Sequence, residues 1–401
     1  MRQIFAEKLQ TFKGPVADNW FFILLVLFII GFFITPERSY HRNGYYLLLF
    51  LPALIIFFRD RSIRNLTKEI PFYLIFIFLF YCAFSLSWSE NRTLAELYDV
   101  SRYFLLVLSF PLIIVLAFRS EKTKVNDFLW YMFIAISITS FIAILIYYSN
   151  NNFPAERLRG LSPYTYYRNT GANIYGIFAV VGFSFLFCHK KRAQLSLQSY
   201  ITTIICTFFI CFYIMLTQTR GALLALTITL CILLILNKHY KKLIFVLIIA
   251  LFSIAFIEFS DSMRGFIERG FGARPLLWLD AFHIISQKPF FGHGIATYIL
   301  LDGGTNEYGR SHNIVFYILI HYGIIGFFLF SWLTILMLWE SIKAANRFKD
   351  WTLPLMLTYG ILTMMFAEEL LLSSPNAAWI LYWMPIALIL ATKYSIIPEK
   401  K

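Results

Sequence analysis

Apolar residues along this chain gather in long runs, and the short segments between the runs hold nearly all of the charge. About 20 apolar residues in a helix cover a hydrocarbon core about 30 Å thick. Twelve stretches come near that length, at 19–35, 44–58, 70–88, 103–118, 127–149, 172–188, 200–217, 221–237, 243–259, 313–338, 353–370 and 377–394. The second is short, which points to a tilted or partly interfacial element. The pattern predicts an all-α, polytopic integral membrane protein of about 12 transmembrane helices, with a large helical loop between the ninth and the tenth. Three regions follow: 1–259 with the first nine helices, the loop 260–312, and 313–401 with the last three helices and a tail.

Composition sharpens this. Of 401 residues, 59% are hydrophobic and only 14% charged, and the mean hydropathy is +0.68, so a water-soluble domain is excluded. A net charge of +13 would suggest nucleic acid only if it lay on one soluble face, and it is spread over many loops. The five cysteines fall in or beside apolar runs without metal-like spacing, and no disulfide framework is expected. The first run has no small-residue cleavage site, so it reads as a retained helix.

With the N-terminus placed inside, 22 of the 35 basic residues fall in inside segments, and every such segment has some. The inside set is mostly lysine. Of the 13 outside, twelve are arginine: Arg38, Arg42, Arg92, Arg102, Arg157, Arg159, Arg168, Arg220, Arg264, Arg269, Arg274 and Arg310. A guanidinium binds phosphate oxygens in pairs and keeps its charge at physiological pH, so this face suits a phosphate-bearing ligand. Contact with anionic membrane lipids would use the same residues. Almost no ionisable group lies deep in the spans, unlike an ion-coupled transport path. His321, about two turns into the tenth span, is the nearest exception.

Three constellations could carry chemistry. Arg220, in Thr217-Gln218-Thr219-Arg220-Gly221, sits in a turn so short that the seventh and eighth spans must form a tight hairpin, with Leu224 one turn deeper on the same face. A snorkelling interfacial arginine has the same pattern. His312-Asn313 leads into the tenth span, and Gly323 and Gly326 follow. Three helical turns, roughly 16 Å, would put His312 and Gly323 on one face, with glycine allowing close helix packing. The helix dipole would keep the imidazole neutral and able to accept a proton; a histidine that merely caps the helix is the alternative. Arg274-Pro275 opens an amphipathic stretch with Trp278, which ends at Pro289-Phe290-Phe291-Gly292-His293-Gly294, where glycine would let the backbone approach a ligand. A plain surface helix with a glycine stop reads equally well. The irregular spacing of His283, His293 and His312 argues against a metal, and no Asp-x-Asp pair occurs.

Taken together, these elements resemble the O-antigen ligase family, within the wider superfamily of O-antigen ligases and polymerases. His312-Asn313, nine residues and then Gly323-Ile324-Ile325-Gly326 are similar to its His-[Asn/Ser/Gln]-x9-Gly-x-x-Gly element. Arg220 to Leu224 is similar to its Arg-x3-Leu element, and Arg274, Trp278 and the 289–294 stretch to its large periplasmic loop. The resemblance implies a cofactor-free, metal-independent glycosyltransferase of the bacterial inner membrane, with both termini cytoplasmic and its active site at the periplasmic face. The implied reaction moves a glycan from an undecaprenyl pyrophosphate-linked donor to a sugar of a lipid A-core acceptor, with inversion expected at the anomeric centre. Arg220 and Arg274 would hold the pyrophosphate and His312 would act as base. Arg159, Arg168, Arg264, Arg269, Trp278 and Asn313 are further substrate-binding candidates, with Gly323, Gly326 and Leu224 structural. A polymerase accepting a lipid-linked repeat shares these features, and a lipid-linked glycan flippase is the non-enzymatic alternative.

Overall fold

The predicted apolar runs are helical over most of the length that the structure describes. The computed structural model of the protein describes residues 15–60, 65–118, 124–153, 156–188, 196–244, 274–303 and 307–394. In chain order these hold α1 (Pro15–Ile34), α2 (Arg38–Arg59), α3 (Ile70–Trp88), α4 (Leu94–Ala117), α5 (Lys124–Tyr148), α6 (Arg168–Phe187), α7 (Leu197–Thr217) and α8 (Arg220–Leu236). Then come α9 (Arg274–Gln287), the antiparallel strands β1 (Leu301–Asp302) and β2 (Glu307–Tyr308), α10 (Ile314–Phe348), α11 (Thr352–Met364) and α12 (Trp379–Tyr394). Among the described residues, seven helices are long and apolar enough to cross a membrane: α2 to α7 and α10. Shorter apolar helices lie in α1, α8, α11 and α12. The protein is thus an all-helical multi-pass membrane protein. The predicted ninth span, from residue 245 onward, and loop residues Arg264 and Arg269 lie outside the described residues.

Several boundaries differ from the hydropathy pattern, each for a polar reason. The second span is not short: α2 is helical from Arg38 to Arg59, with a π-helical segment over Tyr45–Phe50. Its first turns look polar in sequence, yet His41 is buried against Phe28, bonded to the Phe28 carbonyl (2.7 Å) and the Tyr164 hydroxyl (3.1 Å). The eleventh span ends early, at Met364, so Glu368 and Glu369 stand in the following loop and not at a helix end.

Helices α6 and α12 form the centre and are buried along nearly their whole length. Small residues permit this, because helices in lipid gain by close backbone approach. A Cβ at Gly176 of α6 would overlap the Tyr359 hydroxyl of α11, and one at Gly360 would overlap the Leu381 carbonyl of α12. Outward faces of α2, α3 and α7 carry exposed Leu47, Ile77 and Phe208, as lipid contact requires.

Helix α10 is broken at Gly323 (φ 64°, ψ −166°), a conformation open essentially to glycine alone. The 289–294 turn docks into the break. Ile320 and His321 carbonyls accept from the N–H groups of His293 and Gly294 (both 2.8 Å), and the Ile324 N–H donates to the Pro289 carbonyl (2.8 Å). Gly292 and Gly294 also have positive φ, and their bare faces meet α10 and the end of α3. This corrects two expectations. Gly323 does not share a continuous helical face with His312, since it interrupts the helix, and the turn glycines approach protein backbone rather than a ligand. Gly326 does meet a neighbouring helix, at Tyr81 of α3.

The Gly323→Ala variant should lose about 2 kcal/mol or more of stability, because the side chain meets both a forbidden backbone region and the Phe290 carbonyl. A lowered thermal unfolding midpoint in detergent checks this.

Candidate functional site

At one end of the bundle a cleft of about 340 Å³ gathers three guanidinium groups and an imidazole. Volumes of this order suit small-molecule recognition. Its walls come from Arg157, Asn169, Asn173, Gln218, Thr219, Arg220, Gly221, Arg274, Leu277, Tyr308, His312, Phe366 and Ala367. None of these is acidic.

Each arginine is placed by short-range backbone chemistry. Helix α7 closes with Gln218 in the left-handed conformation (φ 52°), and α8 starts two residues later at Arg220, so the tight hairpin expected there is present. Arg157 braces that hairpin, donating to the carbonyls of Thr217 (3.0 Å) and Gln218 (3.4 Å). Arg274, first residue of α9, donates to the Phe366 carbonyl (3.0 Å). Phe366 can come so near because its Cβ lies against the bare face of Gly221, where a methyl group would intrude. The Arg220-Gly221 pair therefore does two jobs, presenting a charge and admitting the opposite wall. Burial, and then the charge of Arg220, lower the pKa of Arg274.

His312 sits just before α10 with φ 54°, an uncommon conformation for a residue with a side chain. Asn313, not His312, caps the helix, its side chain accepting from the Val315 N–H (2.8 Å). The imidazole pKa is lowered below 6.5 by burial first and by Arg274 and Arg310 second. The neutral ring expected from the helix dipole thus has other causes. At neutral pH such a ring is unprotonated and can take a proton.

The other sequence candidates fall around the cleft, not in its walls. Trp278 donates its indole N–H to the Ser311 carbonyl (3.3 Å) and packs on Phe316, and Asn313 is buried in its cap. Arg168 donates to the Arg157 carbonyl (3.2 Å), and Arg159 lies over the Tyr166 ring and bonds its hydroxyl. Leu224, one turn into α8 from Arg220, is 48% exposed. Among the described residues no group of three or more His, Cys, Asp or Glu could hold a metal ion.

Sequence reasoning left Arg157, Asn169, Asn173 and Tyr308 without a role. The signal for the asparagines was their i, i+4 spacing at the start of the sixth span, on one helix face. Glu368 and Glu369 follow Phe366 and Ala367 in the chain but do not line the cleft. Burial raises the pKa of both, that of Glu369 to about 7, with bonds from Ser311 to Glu368 and the charge of Arg310 opposing.

Comparison with known proteins bears on the same residues. The family model described as O-Antigen ligase matches residues 204–331, the stretch that holds Arg220, Arg274 and His312. An O-antigen ligase of Pseudomonas aeruginosa is 28% identical over 395 residues, covering 96% of this chain and 94% of that protein.

Titration of His312, followed by NMR of imidazole-labelled protein and assigned with His312→Ala, should give a pKa below 6.5. Arg274→Gln removes a cation that disfavours the imidazolium, so the pKa should rise toward the ordinary value.

Proposed function

We propose, from the premise that this chain is of the O-antigen ligase family and hence a ligase/polymerase-type glycosyltransferase, that it transfers a finished glycan from undecaprenyl pyrophosphate to a sugar of the lipid A-core. The reaction takes place at the periplasmic face of the inner membrane. One observation carries the reading: among the described residues, Arg157, Arg220 and Arg274 meet His312 in one cleft, and the lining described carries no carboxylate.

A glycosyl pyrophosphate brings its own activation to a compartment without nucleotide sugars. As the bond between the anomeric carbon and the phosphate oxygen breaks, negative charge grows on the departing diphosphate. Guanidiniums already fixed by backbone carbonyls stabilise that charge without reorganising. The acceptor hydroxyl attacks the anomeric carbon from the opposite side, and His312, neutral at working pH, takes its proton. One displacement of this kind inverts the anomeric centre. The bound diphosphate then favours the imidazolium by charge, so the part of the lowering that Arg274 and Arg310 add to that of burial is offset when donor is present.

Arg220→Ala should lower kcat/KM by about 10²-fold or more, and Arg220→Lys should restore little, since a point charge lacks paired donors. His312→Ala should lower kcat by about 10²- to 10⁴-fold while donor binding persists. Glycan release from radiolabelled donor in reconstituted membranes measures both, and near-normal turnover by Arg220→Ala would remove that residue from the site. Offering lipid A-core and lipid-linked repeat as separate acceptors tests the ligase reading, which transfer to the repeat alone would defeat. Translocation of donor without bond cleavage would favour a flippase.

A further inference from the structure

His312 occupies a left-handed backbone conformation. Within its own segment the Ser311 hydroxyl accepts from the Asn313 N–H (3.3 Å) and lies 2.9 Å from the Asn313 carbonyl, so its contacts flank His312 on both sides. The group that reaches this turn from a distant element is Glu368, 6% exposed, from the loop after α11. Its Oε2 accepts from the Ser311 N–H (2.8 Å) and the Ser311 hydroxyl (2.7 Å). A backbone N–H and the hydroxyl that braces the turn thus converge on one carboxylate oxygen. Glu368 itself does not line the cleft, whereas Phe366 and Ala367 just before it do.

We infer that Glu368 is the positioning residue for His312: by taking these two hydrogen bonds from Ser311 it holds the Ser311–His312 turn in the conformation that presents the imidazole to the cleft. The inference rests on the proposed role of His312 as base. It also gives a reason for the early end of α11, because a chain still helical at 368 would not be free to turn this carboxyl toward the turn ahead of α10. Its carboxyl faces Arg310 and lies next to Glu369, which takes a separate bond from Thr170 (3.4 Å) and not from the turn.

The test is kinetic, on the full-length protein in membranes, with undecaprenyl pyrophosphate-linked glycan as donor. Glu368→Leu keeps roughly the size of the side chain and removes the oxygen that takes both Ser311 bonds, whereas Glu368→Gln keeps an amide oxygen able to take them. Glu368→Leu should lower kcat about 10²-fold through misplacement of the base, and Glu368→Gln should recover part of the turnover. Donor KM and donor binding should stay within about twofold of the parent, as a loss confined to the transition state requires. Ser311→Ala, which removes one of the two bonds, should show a smaller kcat loss with the same unchanged KM. Parent-like kcat in Glu368→Leu, or a loss of donor binding that matches the loss of turnover, would overturn the inference. If Glu368→Leu does not accumulate, Ser311→Ala decides: parent-like kcat overturns it. An inactive His312→Ala beside fully active Glu368→Leu and Ser311→Ala would defeat the inference alone, whereas an active His312→Ala would defeat the base assignment and the inference with it.

Discussion

A helix that breaks within a membrane protein releases backbone N–H and C=O groups, and hydrocarbon offers them no partner. In α10 the break at Gly323 is filled by another piece of backbone, the 289–294 turn, which supplies both donors and acceptors. Much of the site follows from this. The turn fixes the end of the segment that starts with α9, and α9 in turn packs Leu277 and Ala281 against Leu301 and Ile320. Arg274 at one end of that helix and Trp278 a turn later are thereby held over the residues that precede α10. A feature that looks like a defect in a transmembrane helix is the anchor for the loop that completes the cleft.

Charge is organised with the same economy. Three arginines share one cleft, and burial first, then the charge of Arg220, lower the pKa of Arg274. Among the described residues, Glu368 and Glu369 follow Phe366 and Ala367 in the chain but do not line the cleft; they meet Ser311, Thr170 and the charge of Arg310. The backbone carbonyls of Thr217, Gln218 and Phe366 orient two of the guanidiniums without cancelling their charge.

Much of this was legible in the sequence, because membrane helices and tight hairpins write themselves in local patterns. The runs, the two-residue link before Arg220, the helix from Arg274 and the pairing of His312 with the start of a span all depend on neighbours in the chain. What stayed hidden depends on distant ones. Hydropathy hides the first turns of α2 because Arg38 and His41 are polar, though their partners, Pro163, Phe28 and Tyr164, make them welcome there. Gly323 read as a packing glycine because its periodicity fits a helix, and only the turn from residues 289–294 shows that it breaks one. Trp278, Asn313, Arg159 and Arg168 have the side chains of binding residues, but each is committed to a bond that shapes the site from outside. Glu368 falls near the end of the apolar run 353–370, and nothing local ties it to Ser311, 57 positions away.

The cleft wall is drawn from residues as far apart as Arg157 and Ala367. The matched family segment, 204–331, carries the arginine of the hairpin, the arginine of the loop helix and the histidine, but neither Arg157 nor Glu368. The cleft therefore exists only once the chain is in place through α11 and the residues just after it, Phe366 and Ala367, so a partly inserted chain lacks one of its walls.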